Sequence, residues 1–110
     1  MRKEGTETMA RDLEPLLGLF RLLSDKTRLK LLLILAGGER NVSSLCKELR
    51  LPQPTVSHHL GLLRSRNMIS SRRHGKHVFY ELNGQVDADR ARGLQISWDP
   101  FKVSITDVTN

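Results

Sequence analysis

Apolar residues recur at helical spacing in four successive segments of the chain, and they alternate with polar residues nearer its C-terminal end. The first segment predicts a helix over residues 10–23. The second, KTRLKLLLILA, is apolar nearly all round, which predicts the most buried helix, and Ser24 and Asp25 can cap its start. The third, SSLCKELR, predicts a short helix with Ser43 as its N-cap.

The fourth predicted helix, PQPTVSHHLGLL, has one apolar and one polar side. Val56 and Leu60 lie one turn apart, so both face the core. Ser57 and His58 project from the opposite side, where they contribute nothing to a core. What this polar side contacts is the main functional question that the pattern raises.

The fourth helix is followed by ISSRRHGKHVFYEL, which predicts a β-hairpin with RRHGKH at its turn. Two short helices joined by a tight turn and followed by a basic hairpin predict a winged helix-turn-helix, an α+β fold that is mainly α. In this fold the second helix enters the major groove of DNA and the hairpin, or wing, reaches the adjacent backbone.

The pattern predicts four parts along the chain. A flexible N-terminus over residues 1–9 precedes the winged helix-turn-helix domain of residues 10–83, and residues 84–93 form a polar linker. Residues 94–110 alternate on both sides of a DP turn signal, which predicts a second, C-terminal β-hairpin. We expect this hairpin to support a dimer; if Trp98 and Phe101 were exposed, it could instead dock a partner protein.

Positive charge is concentrated in one third of the chain. The net charge is +6, and no acidic residue lies between Glu48 and Glu81. That window holds six of the 18 Lys and Arg residues and all four His residues, so the rest of the chain is neutral. A basic face without acidic residues is typical of polyanion binding.

Composition predicts the compartment and excludes several protein classes. A chain of 110 residues supports one domain, and its single Cys, Cys46, excludes an internal disulfide framework. The N-terminal segment lacks the apolar core of a signal peptide, and no apolar segment is long enough to span a bilayer. We therefore expect a cytoplasmic protein that does not bind membranes.

The same residues argue against an enzyme. Ser57, His58 and His59 are consecutive on a helix, so their side chains point about 100° apart and cannot form a nucleophile–base pair. The sequence contains no paired carboxylates, glycine-rich phosphate loop or HExxH motif.

Four segments together resemble the ArsR/SmtB family of bacterial winged-helix repressors: LSDKTRLKLLLIL, VSSLCKEL, LPQPTVSHHLGLLRSRNMI and SSRRHGKHVFYELN. The resemblance covers about residues 13–83. It implies a homodimer whose two recognition helices lie in successive major grooves of a palindromic operator in double-stranded DNA, and an inducer, often a metal ion, that lowers DNA affinity. The DNA-binding positions that we assign from this match and from the charge pattern are Gln53, Thr55, Ser57, His58, Arg64, Arg73, His74 and Lys76.

The metal sites familiar in that family are not matched. Many members carry a Cys-x-Cys pair at the start of the third helix, where this chain has Asn41 and Ser43, and Cys46 lies three residues too late. A second site uses Asp and His on a C-terminal helix, but no His follows His77. We therefore predict no regulatory metal and no cofactor, and the inducer stays open.

Alternatives remain for several residues and for the whole chain. We expect His59 to be structural, Cys46 to be a small hydrophobe, and only one of Arg72 and Arg73 to bind phosphate. Gly61, on the polar side of the fourth helix, has two open explanations: closer approach to DNA, or drift. The rival functions are a protein-interaction module and a metal or redox sensor with a non-standard site.

Overall fold

Residues 12–109, the part described by a computed structural model, form four helices and six strands; the predicted flexible N-terminus, residues 1–9, lies outside them. The elements are α1 Glu14–Leu23, α2 Lys26–Leu35, β1 Arg40–Asn41, α3 Val42–Leu49, α4 Gln53–Ser65, β2 Ile69–His74, β3 His77–Leu82, β4 Val86–Asp89, β5 Gly93–Trp98 and β6 Phe101–Ile105. Two antiparallel sheets have the strand orders β1-β3-β2 and β4-β5-β6. The predicted α+β winged helix-turn-helix is confirmed.

Local chemistry sets the helix starts. The Asp25 carboxylate accepts a hydrogen bond from the backbone N–H of Arg28 at 3.0 Å and caps α2, as predicted. The cap of α3 was predicted wrongly: Asn41, not Ser43, accepts from the backbone N–H of Ser44, at 2.8 Å. Helix α1 begins at Glu14, and Pro15 lies in its first turn, the part of a helix that tolerates proline. The predicted start, residue 10, lies outside the described residues.

All four helices and both sheets contribute to one hydrophobic core. The apolar side of α4 is fully buried through Val56, Leu60 and Leu63, as predicted. Helix α2, predicted as the most buried element, has a smaller share of exposed residues than the other helices, although Leu33 on its outer side is 57% exposed. The core therefore fixes which side of α4 faces solvent.

The wing is a β2–β3 hairpin with a two-residue loop, Gly75 and Lys76, between the paired residues His74 and His77. Gly75 has a φ of +64°, which suits the tight hairpin turns that require a positive φ. This loop leaves Lys76 at the exposed tip of the wing.

Residues 84–93 were predicted as a polar linker, and that prediction is wrong. They contain β4, which pairs with β5 along the register Val86↔Ile96. Val86 is buried and Ala88 packs against the core, while Asp87 and Asp89 point outward. Strand β4 has only four residues, of which two are apolar. So short an alternation does not identify a strand within a polar segment.

The β5–β6 hairpin closes the C-terminal part of the fold around Trp98. This side chain is only 7% exposed, and its Nε1–H donates to the carbonyl oxygen of Pro15 at 2.8 Å. The alternative in which an exposed Trp98 docks a partner protein is therefore wrong. The tryptophan instead attaches the C-terminal sheet to the first turn of α1.

Candidate nucleic-acid interface

Helices α3 and α4 are joined by three residues, Arg50 to Pro52. Arg50 adopts the left-handed conformation, with φ 57° and ψ 45°, and its backbone N–H donates to the carbonyl oxygen of Cys46. The left-handed conformation of Arg50 ends α3 directly after Leu49. Pro52, in extended conformation, is the N-cap residue of α4. The result is a compact helix-turn-helix.

The side of α4 opposite the core is exposed and polar. Thr55, Ser57 and His58 lie on it, whereas Gln53, in the first turn, lines a groove with Lys76 of the wing; all four are exposed. No acidic residue occurs on α4. Hydroxyl, amide and imidazole groups are therefore free to donate to or accept from the edges of base pairs.

His59 lies between α4 and the start of α2. Its Nδ1 is 3.1 Å from a guanidinium nitrogen of Arg28 and 3.7 Å from a carboxylate oxygen of Asp25, and its side chain is 15% exposed. The Asp25 carboxylate accepts a hydrogen bond from the backbone N–H of Arg28, and this bond holds the pKa of the carboxyl below its usual value. The predicted structural role of His59 is confirmed, and these contacts fix the orientation of α4 against α2.

The two adjacent arginines of the wing have different environments. The guanidinium of Arg72 donates to both carboxylate oxygens of Glu39, at 2.8 and 2.9 Å, and lies over the Phe79 ring, 5.1 Å from its centroid. Arg73 and His74 are exposed farther along β2, toward Lys76 at the tip. The protein itself thus neutralises Arg72 and holds it in place, although both arginines are exposed; among the described residues Arg73 forms no such ion pair and is available to DNA phosphate.

The C-terminal end of α4 carries two more arginines. Arg64 is exposed and donates to the Ser71 hydroxyl at 3.1 Å, so it is positioned between α4 and the wing. Arg66 turns the other way, with its guanidinium 4.9 Å from the centroid of the Trp98 ring. The basic window is therefore divided between an outward set and residues that hold the fold together.

Sequence reasoning missed Lys47. It lines a groove of about 470 Å³ between α3, the start of α4 and the wing, together with Ser43, Cys46, Gln53 and Lys76. Lys47 lies next to Glu48 and outside the window without acidic residues, so the charge pattern gave no signal for it. Only the fold brings it to the same groove as the tip of the wing.

Within residues 12–109, no three His, Cys, Asp or Glu side chains are grouped closely enough to hold a metal ion. The absence of a regulatory metal stays a prediction. Among the helices described, none has the length and apolar character needed to cross a membrane.

Comparison with known proteins gives consistent matches. Residues 25–71 match the family model "Bacterial regulatory protein, arsR family". The chain is 40% identical over 81 residues to the arsenical resistance operon repressor of Escherichia coli (strain K12), across 73% of this chain and 69% of that protein. It is 36% identical over 70 residues to the transcriptional repressor SdpR of Bacillus subtilis (strain 168), across 64% and 78%.

A similar solved structure is that of the transcriptional repressor BigR from Xylella fastidiosa. It superposes with a TM-score of 0.61 and 36% sequence identity over 76% of this chain and 82% of that one. The stretch matched by the family model, residues 25–71, contains α2, the whole helix-turn-helix and the start of the wing.

Proposed function

This chain belongs to the arsR family of bacterial regulatory proteins, and from that premise we propose that it is a homodimeric repressor that occupies a palindromic operator. It is a DNA-binding regulator of transcription and not an enzyme. The relatives named above are described as repressors, which supports repression rather than activation of transcription.

The observation that carries the proposal is the two-sided character of α4. One side is fully buried in the core, and the other presents exposed polar groups beside a wing with cationic side chains. A helix fixed in this way can enter the major groove only with its polar side inward. Base selection then falls to Gln53, Thr55, Ser57 and His58.

Phosphate contacts supply most of the affinity in this proposal. Arg64 extends from the end of α4, and Arg73, His74 and Lys76 lie along the wing, so all four can meet the backbone on one side of the recognition helix. Lys47 can add a further contact from the groove between α3 and the wing.

Support for a homodimer comes from α1. Leu13, Leu17 and Phe20 are spaced at i, i+4 and i+7, and they are 45%, 41% and 49% exposed. These three residues are called the α1 stripe below. A stripe of this kind on a small domain is typical of a protein interface.

Charges beside the α1 stripe favour a second copy of the same chain. Glu14 and Arg21 flank the stripe and lie 3.9 Å apart within one chain, where both are exposed. Two α1 helices packed antiparallel about a twofold axis near Leu17 would set Glu14 of each copy beside Arg21 of the other. The interface is thus complementary to itself, as a twofold dimer requires.

We also propose that repression does not depend on a metal at the start of α3. The amide oxygen of Asn41 is already used, because it caps α3 through the backbone N–H of Ser44. Ser43, at the other expected thiolate position, offers a hydroxyl that is a poor ligand for soft metal ions. Action on operator DNA would place the protein in the cytoplasm.

Selection from a pool of random DNA duplexes tests the proposal. The full chain should enrich an inverted repeat, and a promoter that contains the repeat should be repressed when the protein is expressed. Binding to duplex DNA should also weaken steeply with salt. Failure to enrich any sequence in dilute buffer would contradict the proposal and would favour the rival protein-interaction module.

A further inference from the structure

Strand β6 forms one edge of the C-terminal sheet. Among the strands described, it pairs only with β5. The backbone N–H of Ser97 donates to the carbonyl oxygen of Gln85, on the β4 side, at 2.8 Å. The backbone N–H and C=O groups of its neighbours Ile96 and Trp98 therefore point the other way, toward β6. By the same alternation, the N–H and C=O groups of Lys102 and Ser104 point away from β5, toward the free edge.

The apolar side of this sheet continues past the part that the helices cover. The register pairs Leu94 with Ile105 and Ile96 with Val103, so these four side chains lie on one face. The β5 members are buried, whereas Val103 is half-buried and Ile105 is 37% exposed. The apolar side chains of β6 are therefore only partly buried by the described residues.

Trp98 attaches the start of β6 to α1. Phe101, the first residue of β6, pairs with Trp98, and Trp98 is hydrogen-bonded to Pro15 in the first turn of α1. This hydrogen bond fixes the position of the C-terminal sheet relative to α1, so the free edge of β6 and the α1 stripe keep a constant geometry in each copy.

We propose that β6 pairs antiparallel with β6 of a second copy, so that the two C-terminal sheets join into one six-stranded sheet across the twofold axis. The inference rests on the proposed homodimer and specifies which edge joins the two copies. An unpaired edge strand is a template for such pairing.

The sequence of β6 is compatible with pairing to itself. Two identical antiparallel strands can be centred only on a residue that faces itself, because neighbouring residues point to opposite edges. Centred on Val103, the pairing sets Phe101 opposite Ile105 and Lys102 opposite Ser104. Apolar side chains meet apolar ones, and no like charges face each other.

The other edge of the sheet does not have this property. Strand β4 reads Val86, Asp87, Ala88, Asp89. Centring on Asp87 sets that carboxylate opposite itself, and centring on Ala88 sets Asp87 opposite Asp89. Like charges directly opposite destabilise a strand pair, so β4 is protected against pairing with itself and β6 is not.

Proline substitution tests the pairing. Ser104→Pro removes an edge N–H and no backbone hydrogen bond to β5, although it also removes the hydrogen bond from the Ser104 hydroxyl to the Gln95 side chain; Ala88→Pro is the matched control on the opposite edge. With circular dichroism and thermal unfolding confirming that both fold, we expect sedimentation equilibrium to show a dimer dissociation constant raised at least tenfold by Ser104→Pro and unchanged by Ala88→Pro. Equal dissociation constants for the two variants would overturn the β6 pairing and leave the homodimer standing. A monomeric unsubstituted chain would overturn both.

Crosslinking provides a test that does not depend on a destabilising substitution. In a Cys46→Ser background, Val103→Cys places two thiols opposite each other at the twofold axis, where Cα atoms about 4.5 Å apart suit a disulfide. Lys102→Cys is the control, because its counterpart would lie diagonally at about 7–8 Å. Mild oxidation should give a disulfide-linked dimer only with Val103→Cys. Equal crosslinking of both variants, or of neither, contradicts the proposal.

Discussion

Replacing Lys76 by alanine is the sharpest test of how the protein divides affinity from selectivity. Lys76 lies at the tip of the wing in a two-residue loop, and its side chain is exposed. Its proposed partner is a backbone phosphate, which is the same on every duplex. Lys76→Ala should therefore weaken the selected operator and a random duplex by equal factors.

The size of the effect follows from the number of copies. A dimer presents two Lys76 side chains, and each phosphate that a cation neutralises contributes about 0.9 to the slope of log affinity against log salt. Lys76→Ala should therefore flatten that slope by about 1.8. Between 50 and 200 mM salt, the unsubstituted protein should lose about 12-fold more affinity than the variant.

Fluorescence anisotropy with labelled duplexes measures these slopes. Lys30→Ala is the matched control, because it removes the same charge from an exposed position on α2. The control should leave the slope unchanged to within about 0.3, since it neutralises no phosphate. An unchanged slope for Lys76→Ala, or a loss confined to the operator, would refute the proposed wing contact.

Three further predictions concern the recognition helix, the core and the response to acid. His58→Ala should reduce the preference for the operator over single-base variants by about 1–3 kcal/mol per half-site, measured by competition binding; equal losses on operator and random DNA would contradict a base contact. Trp98→Ala should lower the free energy of unfolding in urea by about 3–5 kcal/mol, since it empties a buried site and leaves the Pro15 carbonyl without its donor; a loss below about 1 kcal/mol would refute that role. Asp25 has a lowered pKa in the folded protein, so its stabilisation is present above the unfolded pKa and is lost as pH falls through the folded pKa. Asp25→Asn should remove that part of the acid sensitivity in a series of Tm measurements from pH 6 down to about pH 2, and an unchanged profile would contradict it.

The helix-turn-helix could be predicted from the sequence because its signals are local. Val56, Leu60 and Leu63 repeat at helical spacing, and Pro52 and Gly75 mark the turns. The same signals give the side of α4 that faces solvent, since burial of one side exposes the other. Periodicity was therefore sufficient for the outline of the candidate site.

What the sequence did not show depends on contacts between distant segments. Trp98 is hydrogen-bonded to a residue 83 positions away, and Arg72 is paired with Glu39, 33 positions away. Neither contact has a local signature in the sequence. The burial of Trp98 and the pairing of Arg72, as opposed to Arg73, could therefore not be predicted. Lys47 became a candidate only because the turn between α3 and α4 brings it beside the wing.

Methylation interference on the selected operator tests most directly that two α4 helices enter adjacent major grooves. Methyl groups on guanine N7 lie in the major groove and block a helix placed there. Two symmetry-related clusters of interfering guanines should appear, with their centres about 10 base pairs apart on one face of the duplex. A single cluster, or interference confined to adenine N3 in the minor groove, would contradict this placement of the two helices.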